Sequence, residues 1–195
     1  MVPDIIPANF INTIVVGRKA NSLAHSLIEM LLASRAQVHV IDCAIRLRGY
    51  QIAEATRGLD FFALHNITIQ RAFTPYQLLD LLTSISASSV KSNQHSRINI
   101  FLAPSKQFFD GDVKKDERIH LLKILTQKLE RLVQMNIPFV FSESTPKDDA
   151  TYLQYLVNLQ KIGKVIQIPN MITQNNGGIY GQDDHSLLSA NPITR

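Results

Sequence analysis

The sequence predicts an α/β fold, with a mostly parallel central sheet covered by helices on both faces. Three observations lead there. Short apolar runs alternate with helical patterns almost throughout the chain. The strand runs are short and mostly apolar, as strands buried on both faces are. The 195 residues, 45% hydrophobic and 18% charged, suffice for a single domain with a full core.

The elements follow in order. The first ten residues, with two prolines, read as an arm or an edge strand. Thr13 to Val16 is a short buried strand. Asn21 to Ala33 is a helix, with Leu23, Leu27, Ile28, Leu31 and Leu32 at helical spacing on one face. Ala36 to Ile41 is a second strand, ending at Asp42. Gly49 to Arg57 is helical, with Gly58 placed to end it. Asn66 to Gln70 is a third strand. A helix from Pro75 to Thr83 starts on its proline and carries Leu78, Leu79, Leu81 and Leu82.

Ser84 to Arg97 is mostly small and polar and reads as a surface loop. Ile98 to Leu102 is the next strand. Asp116 to Met135 carries the clearest helical stripe, Ile119, Leu122, Leu125, Leu129, Leu132 and Val133, with Lys123, Lys128, Glu130 and Arg131 toward water. Pro138 to Phe141 is a strand, and Lys164 to Ile168 is the last parallel or edge strand. Residues 170–195 are polar and rich in turn formers, forming a tail or a hairpin around Asn176-Gly177-Gly178. No repeat and no second domain are evident.

Composition excludes several classes of protein. No apolar run reaches the ~18 residues that a membrane span needs. The opening MVPDIIPANF lacks the basic and apolar regions of a signal peptide. The single cysteine, Cys43, forms no intramolecular disulfide and fits a reducing compartment: cytoplasmic, or nuclear in a eukaryote. A net charge of +4 permits nucleic-acid binding without requiring it. The six histidines show no metal-ligand spacing, and no carboxylate pair suggests acid-base catalysis. His39 and Cys43 lie on one side of a strand but about 13 Å apart, too far for a dyad. Cys43 is therefore a buried small residue. Asp183, Asp184 and His185 read as solvated tail.

Residues 11 to 35 have the layout of a phosphate-binding site: a strand, a loop opened by Gly17, then a helix. Nucleotide-binding loops of this layout carry glycines and a Lys-Ser or Lys-Thr pair. Here the matching triplet is Ala20-Asn21-Ser22.

Several segments in order resemble the core of the RecA/RadA recombinase superfamily, closest to its archaeal and eukaryotic branch. VHVIDCAIRLRGYQIAEATRGLD (Val38 to Asp60) resembles its second core strand, the acidic turn and the following helix. HNITIQRAFTPYQLLDLL (His65 to Leu82) is similar to the next strand and helix. Ile98 to Phe109 is similar to the strand that ends in a magnesium-associated aspartate. Lys114 to Met135 resembles the long helix after the first DNA-binding loop. The resemblance spans about residues 12 to 145. It implies a RecA-like P-loop NTPase-type fold as one domain over residues 1–195, with a core of about 12–169.

The departures from the family pattern imply a lost activity. Ala20 stands for a glycine, and Asn21 for the phosphate-binding lysine; only Ser22 is kept. Ala44 stands at the catalytic glutamate and Ala103 at the metal-associated aspartate. Lys19 lies two residues too early to replace the lysine. The cationic, basic and metal-holding groups are all missing, so no hydrolysis and no cofactor are expected.

The resemblance also implies a DNA-binding loop over Lys106 to Arg118. Lys106, Lys114, Lys115 and Arg118 are its candidate phosphate contacts, and Phe108 or Phe109 its base-stacking residue. Asp110, Asp112, Asp116 and Glu117 nearly cancel that charge, and the second such loop, within Ser142 to Thr151, is short. Arg46 and Arg48, after the second strand, are candidate anion ligands, unless they lie on a solvated face or pair with Asp42.

The expected function is a non-catalytic recombinase paralogue. It would be an accessory or structural subunit in DNA recombination or repair, joined in a homo- or hetero-oligomer with a RecA-like protein. Weak single-stranded DNA binding is a further expectation, and membrane association is not expected. Two alternatives stay open: a scaffold without DNA contact, and an atypical nucleotide site around Arg18, Lys19 and Ser22.

Overall fold

A computed structural model describes residues 12–59, 63–92, 97–143 and 149–168. The expected N-terminal arm, the residue 170–195 tail or hairpin and the Asp183-Asp184-His185 group lie outside the described residues. The strands are β1 (Thr13–Val16), β2 (Val38–Asp42), β3 (Ile67–Arg71), β4 (Ile98–Leu102), β5 (Phe139–Glu143) and β6 (Lys164–Gln167). The helices are α1 (Ala20–Ala33), α2 (Gly49–Ala55), α3 (Pro75–Ser92), α4 (Lys115–Gln134) and α5 (Ala150–Gln160), with 3-10 turns at Ala63–Asn66 and Pro104–Phe109.

The six strands form one sheet, ordered β3-β2-β4-β5-β1-β6, and every pairing is parallel. Connections running toward β3 place α1 and α2 on one face, packed on Val15, Val38, Val40, Ile100 and Val140. Connections running toward β6 place α3, α4 and α5 on the other, packed on Ile14, Ile41, Phe101, Phe139 and Phe141. Right-handed crossovers account for this division. The α/β class with helices on both faces is as expected.

Two helices depart from the sequence reading. The polar stretch after Thr83 is not a loop, because α3 continues through it to Ser92. Its serines are compatible with helix because their hydroxyls turn back on it. Ser84, Ser86 and Ser89 donate to the carbonyls of Asp80, Leu82 and Ile85, at 3.0, 2.9 and 3.0 Å. Helix α5 was not anticipated. Asp149 caps it, accepting from the backbone of Thr151 at 2.7 Å and Tyr152 at 3.3 Å, and Tyr152, Tyr155 and Leu159 form its buried face.

Smaller corrections concern boundaries. Helix α2 ends at Ala55 with Thr56 as its C-cap, so Gly58 does not terminate it. Ile119 is 48% exposed, and Leu121 takes its place on the buried face of α4.

Gly163 brings the α5–β6 turn against β1. A Cβ there would stand 2.2 Å from the Asn12 carbonyl oxygen, the acceptor for the Lys164 amide at 3.1 Å. Gly163→Ala must therefore push β6 off β1, and urea denaturation is expected to show a loss of about 1–3 kcal/mol. An unchanged midpoint would mean that the turn is looser than described.

Candidate functional site

Strands β1 and β5 are neighbours, yet their chains leave on opposite faces, into α1 and α5. In open parallel sheets such a switch opens a crevice at the carboxyl ends of the strands. Gly17, Lys19, Ala20, Asn21 and Ser22 lie at this crevice, Ala103 ends β4 beside β5, and Ala44 follows β2, one strand further away; the loop after β1 is drawn closed. Only Gly17, Arg18 and Lys19 separate β1 from α1. Gly17 has φ 134°, donates its amide to Glu143 O at 2.9 Å, and has no room for a Cβ, which would meet Ile168 O at 2.7 Å. Its own carbonyl accepts the Ala20 amide at 2.9 Å. A loop that wraps phosphate needs several further residues whose amides face inward.

Asn21, at the expected lysine position, makes a neutral bond: its Oδ1 accepts from Ser142 Oγ on β5 at 2.5 Å. Ala20 is buried, while Lys19 and Ser22 face solvent. Lys19 is the N-cap residue of α1 and makes no side-chain capping bond.

The turn after β2 is built on Asp42. Its buried carboxylate accepts the amides of Arg46 at 2.8 Å and Leu47 at 3.2 Å, with a longer contact to Ala44 at 3.4 Å. Ile45 takes the left-handed conformation, φ 53°, inside this turn. Asp42 thus holds backbone rather than pairing with the Arg46 or Arg48 side chain. His25 of α1 pins the far end of the turn: its Nε2 accepts the Arg48 amide at 2.9 Å, which leaves Nδ1 to donate to Asn21 O at 2.5 Å. The result gathers Arg18, Arg46 and Arg48 around a shallow cavity of about 280 Å³ with Asn21 and Ser22, and no carboxylate lines it among the described residues. The sequence suggested Arg46 and Arg48 as a pair; joining Arg18 to them needs the strand order.

Ala103 ends β4 in the left-handed conformation, φ 50°, and donates its amide to Ser142 O at 2.7 Å. It carries no group for a metal. The acid near this point is instead Glu143, which the sequence reading passed over. It is fully buried and accepts from Ser105 Oγ at 2.6 Å and Tyr155 OH at 2.9 Å. Burial without a cation pushes its carboxyl up to about 7, despite both hydroxyl donors. The signal was available as an acidic residue closing the apolar run FVFSE. Cys43 is buried, and that burial, with Glu143 and Asp42 nearby, holds its thiol well above the usual range, so it is no nucleophile.

The expected DNA-contact residues do not act together. Phe108 is 0% exposed and belongs to the core, so it cannot stack on a base. Phe109 is also buried, edge-on to Tyr152 with ring centroids 5.5 Å apart. Arg118 is committed internally. It donates to Phe108 O at 2.7 Å and Val113 O at 3.1 Å, covers the Phe109 ring at 4.9 Å, and lies 3.7 Å from Asp149. Lys106, Lys114 and Lys115 are exposed, but so are Asp110, Asp112 and Asp116.

No cluster of potential metal ligands occurs among the described residues, and no described helix is long and apolar enough to cross a membrane. No model of a known protein family matches the chain, and a comparison with curated proteins finds no match.

Glu143 makes stability pH-dependent in a defined sense. The folded carboxyl keeps its proton up to about 7, whereas the unfolded one releases it near 4.5, so between these values the fold binds the extra proton. The contribution is fully present below the lower value and is lost as pH rises through the higher one. Glu143→Gln should remove this dependence. Relative to wild type, the variant gains about 3 kcal/mol between pH 4 and pH 8, read by urea denaturation. Parallel pH profiles for the two proteins would contradict the assignment.

Proposed function

We propose that this chain is a non-catalytic RecA-like paralogue, an accessory or structural subunit in DNA recombination or repair. The observation that carries the non-catalytic part is the closed loop at the switch point, where the Asn21–Ser142 bond stands at the position expected for a phosphate-binding lysine. The absence of acidic side chains at Ala44 and Ala103 supports it. The recombination context comes from the ordered resemblance over about residues 12 to 145.

A subunit of this kind needs a surface for its neighbour. Strand β3 is an edge of the sheet and has one pairing partner among the described residues, β2. Ile69, Phe73 and Tyr76 stand 46%, 58% and 55% exposed along and just beyond it. An open edge with apolar side chains is a ready template for another chain.

A scaffold without DNA contact is the second reading, favoured by the burial of Phe108 and the mixed charge around Lys114. Co-purification from native lysate tests the first reading. A RecA-like protein identified by mass spectrometry is expected to accompany the full chain, and Ile69→Lys to release it with an unchanged melting temperature. Recovery of no recombination protein would count against the proposal. Single-stranded DNA shifted at low salt and released by about 0.2 M salt favours the first reading; no shift at low salt leaves the scaffold.

A further inference from the structure

A second polar cavity lies on the other side of the sheet, between α3 and strands β3, β2 and β4. The face that α3 and α4 cover is apolar through Ile41, Phe101 and Phe141. One row departs from this: Thr68, His39 and Asn99 stand in register on the three adjacent strands. Asn99 is pinned, because its Nδ2 donates to Pro138 O at 3.1 Å. Its Oδ1 therefore faces His39 Nδ1 at 3.0 Å, and Nδ1 carries the proton. The other ring nitrogen lies 2.7 Å from Gln70 Oε1; a ring protonated on Nδ1 accepts there once the Gln70 terminal amide is turned to present its Nε2. Burial, with Arg97 nearby, holds His39 below its ordinary value, against the opposing pull of the Asn99 and Gln70 bonds.

Above this row α3 presents small side chains, including Ser84, and leaves a cavity of about 250 Å³. Arg97, which precedes β4, lines it, and its Nε is buried with no hydrogen-bond partner among the described residues. A buried guanidinium donor left unpaired is costly, so a native structure that keeps one invites an acceptor. No carboxylate lines the cavity among the described residues. The lining offers a cation, the Thr68 hydroxyl and the Gln70 amide, donors that match an acceptor-rich anion, while the Ser84 and Ser89 hydroxyls stay on their own helix. Thr68 and Gln70 are exposed on the edge strand, so the cavity can be reached from solvent there. Its volume is below the ~300–1,000 Å³ of sites for larger ligands, which limits the occupant to a small ion.

We propose that this cavity binds a small tetrahedral oxyanion, free inorganic phosphate or sulfate, with Arg97 as the charge partner and His39, Thr68 and Gln70 beside it. The site is separate from the arginine cluster at Arg18, Arg46 and Arg48 and does not depend on the recombination reading.

The test titrates sodium phosphate into the full chain at constant ionic strength and follows the His39 imidazole resonances by NMR. A saturable shift with a millimolar or lower midpoint is expected. Arg97→Gln should weaken it about tenfold or more, as loss of a charged hydrogen bond implies. The Arg46→Gln/Arg48→Gln double variant should leave it unchanged, and a nucleoside monophosphate should not produce it. The proposal is overturned if phosphate up to about 20 mM leaves the His39 signals unmoved, a bound weaker than millimolar affinity. It is also overturned if folded Arg97→Gln binds as wild type does, or if the double variant abolishes the shift. Should Arg97→Gln fail to fold, the wild-type titration alone decides.

Discussion

The hydrogen bond from Ser142 Oγ to Asn21 Oδ1, at 2.5 Å, closes the place where a parallel sheet of this topology ordinarily opens. It ties the first turn of α1 to the end of β5, across the point where the chain departs to opposite faces. Its neighbours reinforce it. The Gly17 amide bonds the Glu143 carbonyl, and the Ala103 amide bonds the Ser142 carbonyl, so three loops are stitched together by backbone and neutral side chains. A charge at residue 21 would need either a ligand or a counter-ion here, and neither Ala44 nor Ala103 offers one. The scaffold is complete, and its central crevice is used for cohesion.

Cations are nevertheless collected at the rim. Asp42 spends its carboxylate on backbone amides, and His25 holds the far end of the same turn, so Arg18, Arg46 and Arg48 meet without an acid among them. On the opposite face, Glu143 is buried with hydroxyl and backbone donors but no cation. Ionisable groups are thus segregated: cations face solvent on one side of the switch point, and an uncompensated carboxyl lies in the core on the other. Such a carboxyl weakens the fold as pH rises through about 7, which makes the packing around Tyr155 and Ser105 pH-sensitive.

Much of the fold was legible in the sequence because it rests on local periodicity. Mostly apolar runs such as INIFL mark the strands, and the leucine stripes of α1 and α4 mark those helices. Local composition misled where side chains could satisfy themselves within a helix: the α3 serines read as loop, yet their hydroxyls bond their own helix. Helix α5 was missed although its Asp149 cap and buried tyrosines were visible signals. The sites were less legible, because they depend on strand order. Nothing local joins Arg18 to Arg46, or His39 to Asn99 sixty residues later. Nor does the sequence distinguish a phenylalanine on a loop surface from one, like Phe108, turned into the core.

The closed crevice can be tested directly by isothermal titration calorimetry of the full chain with ATP and magnesium. No binding heat is expected at ATP concentrations up to about 1 mM, because the lysine and the metal-holding acid are absent and the loop is too short to wrap phosphate. Saturable binding at micromolar ATP would contradict the proposal that the site is non-catalytic.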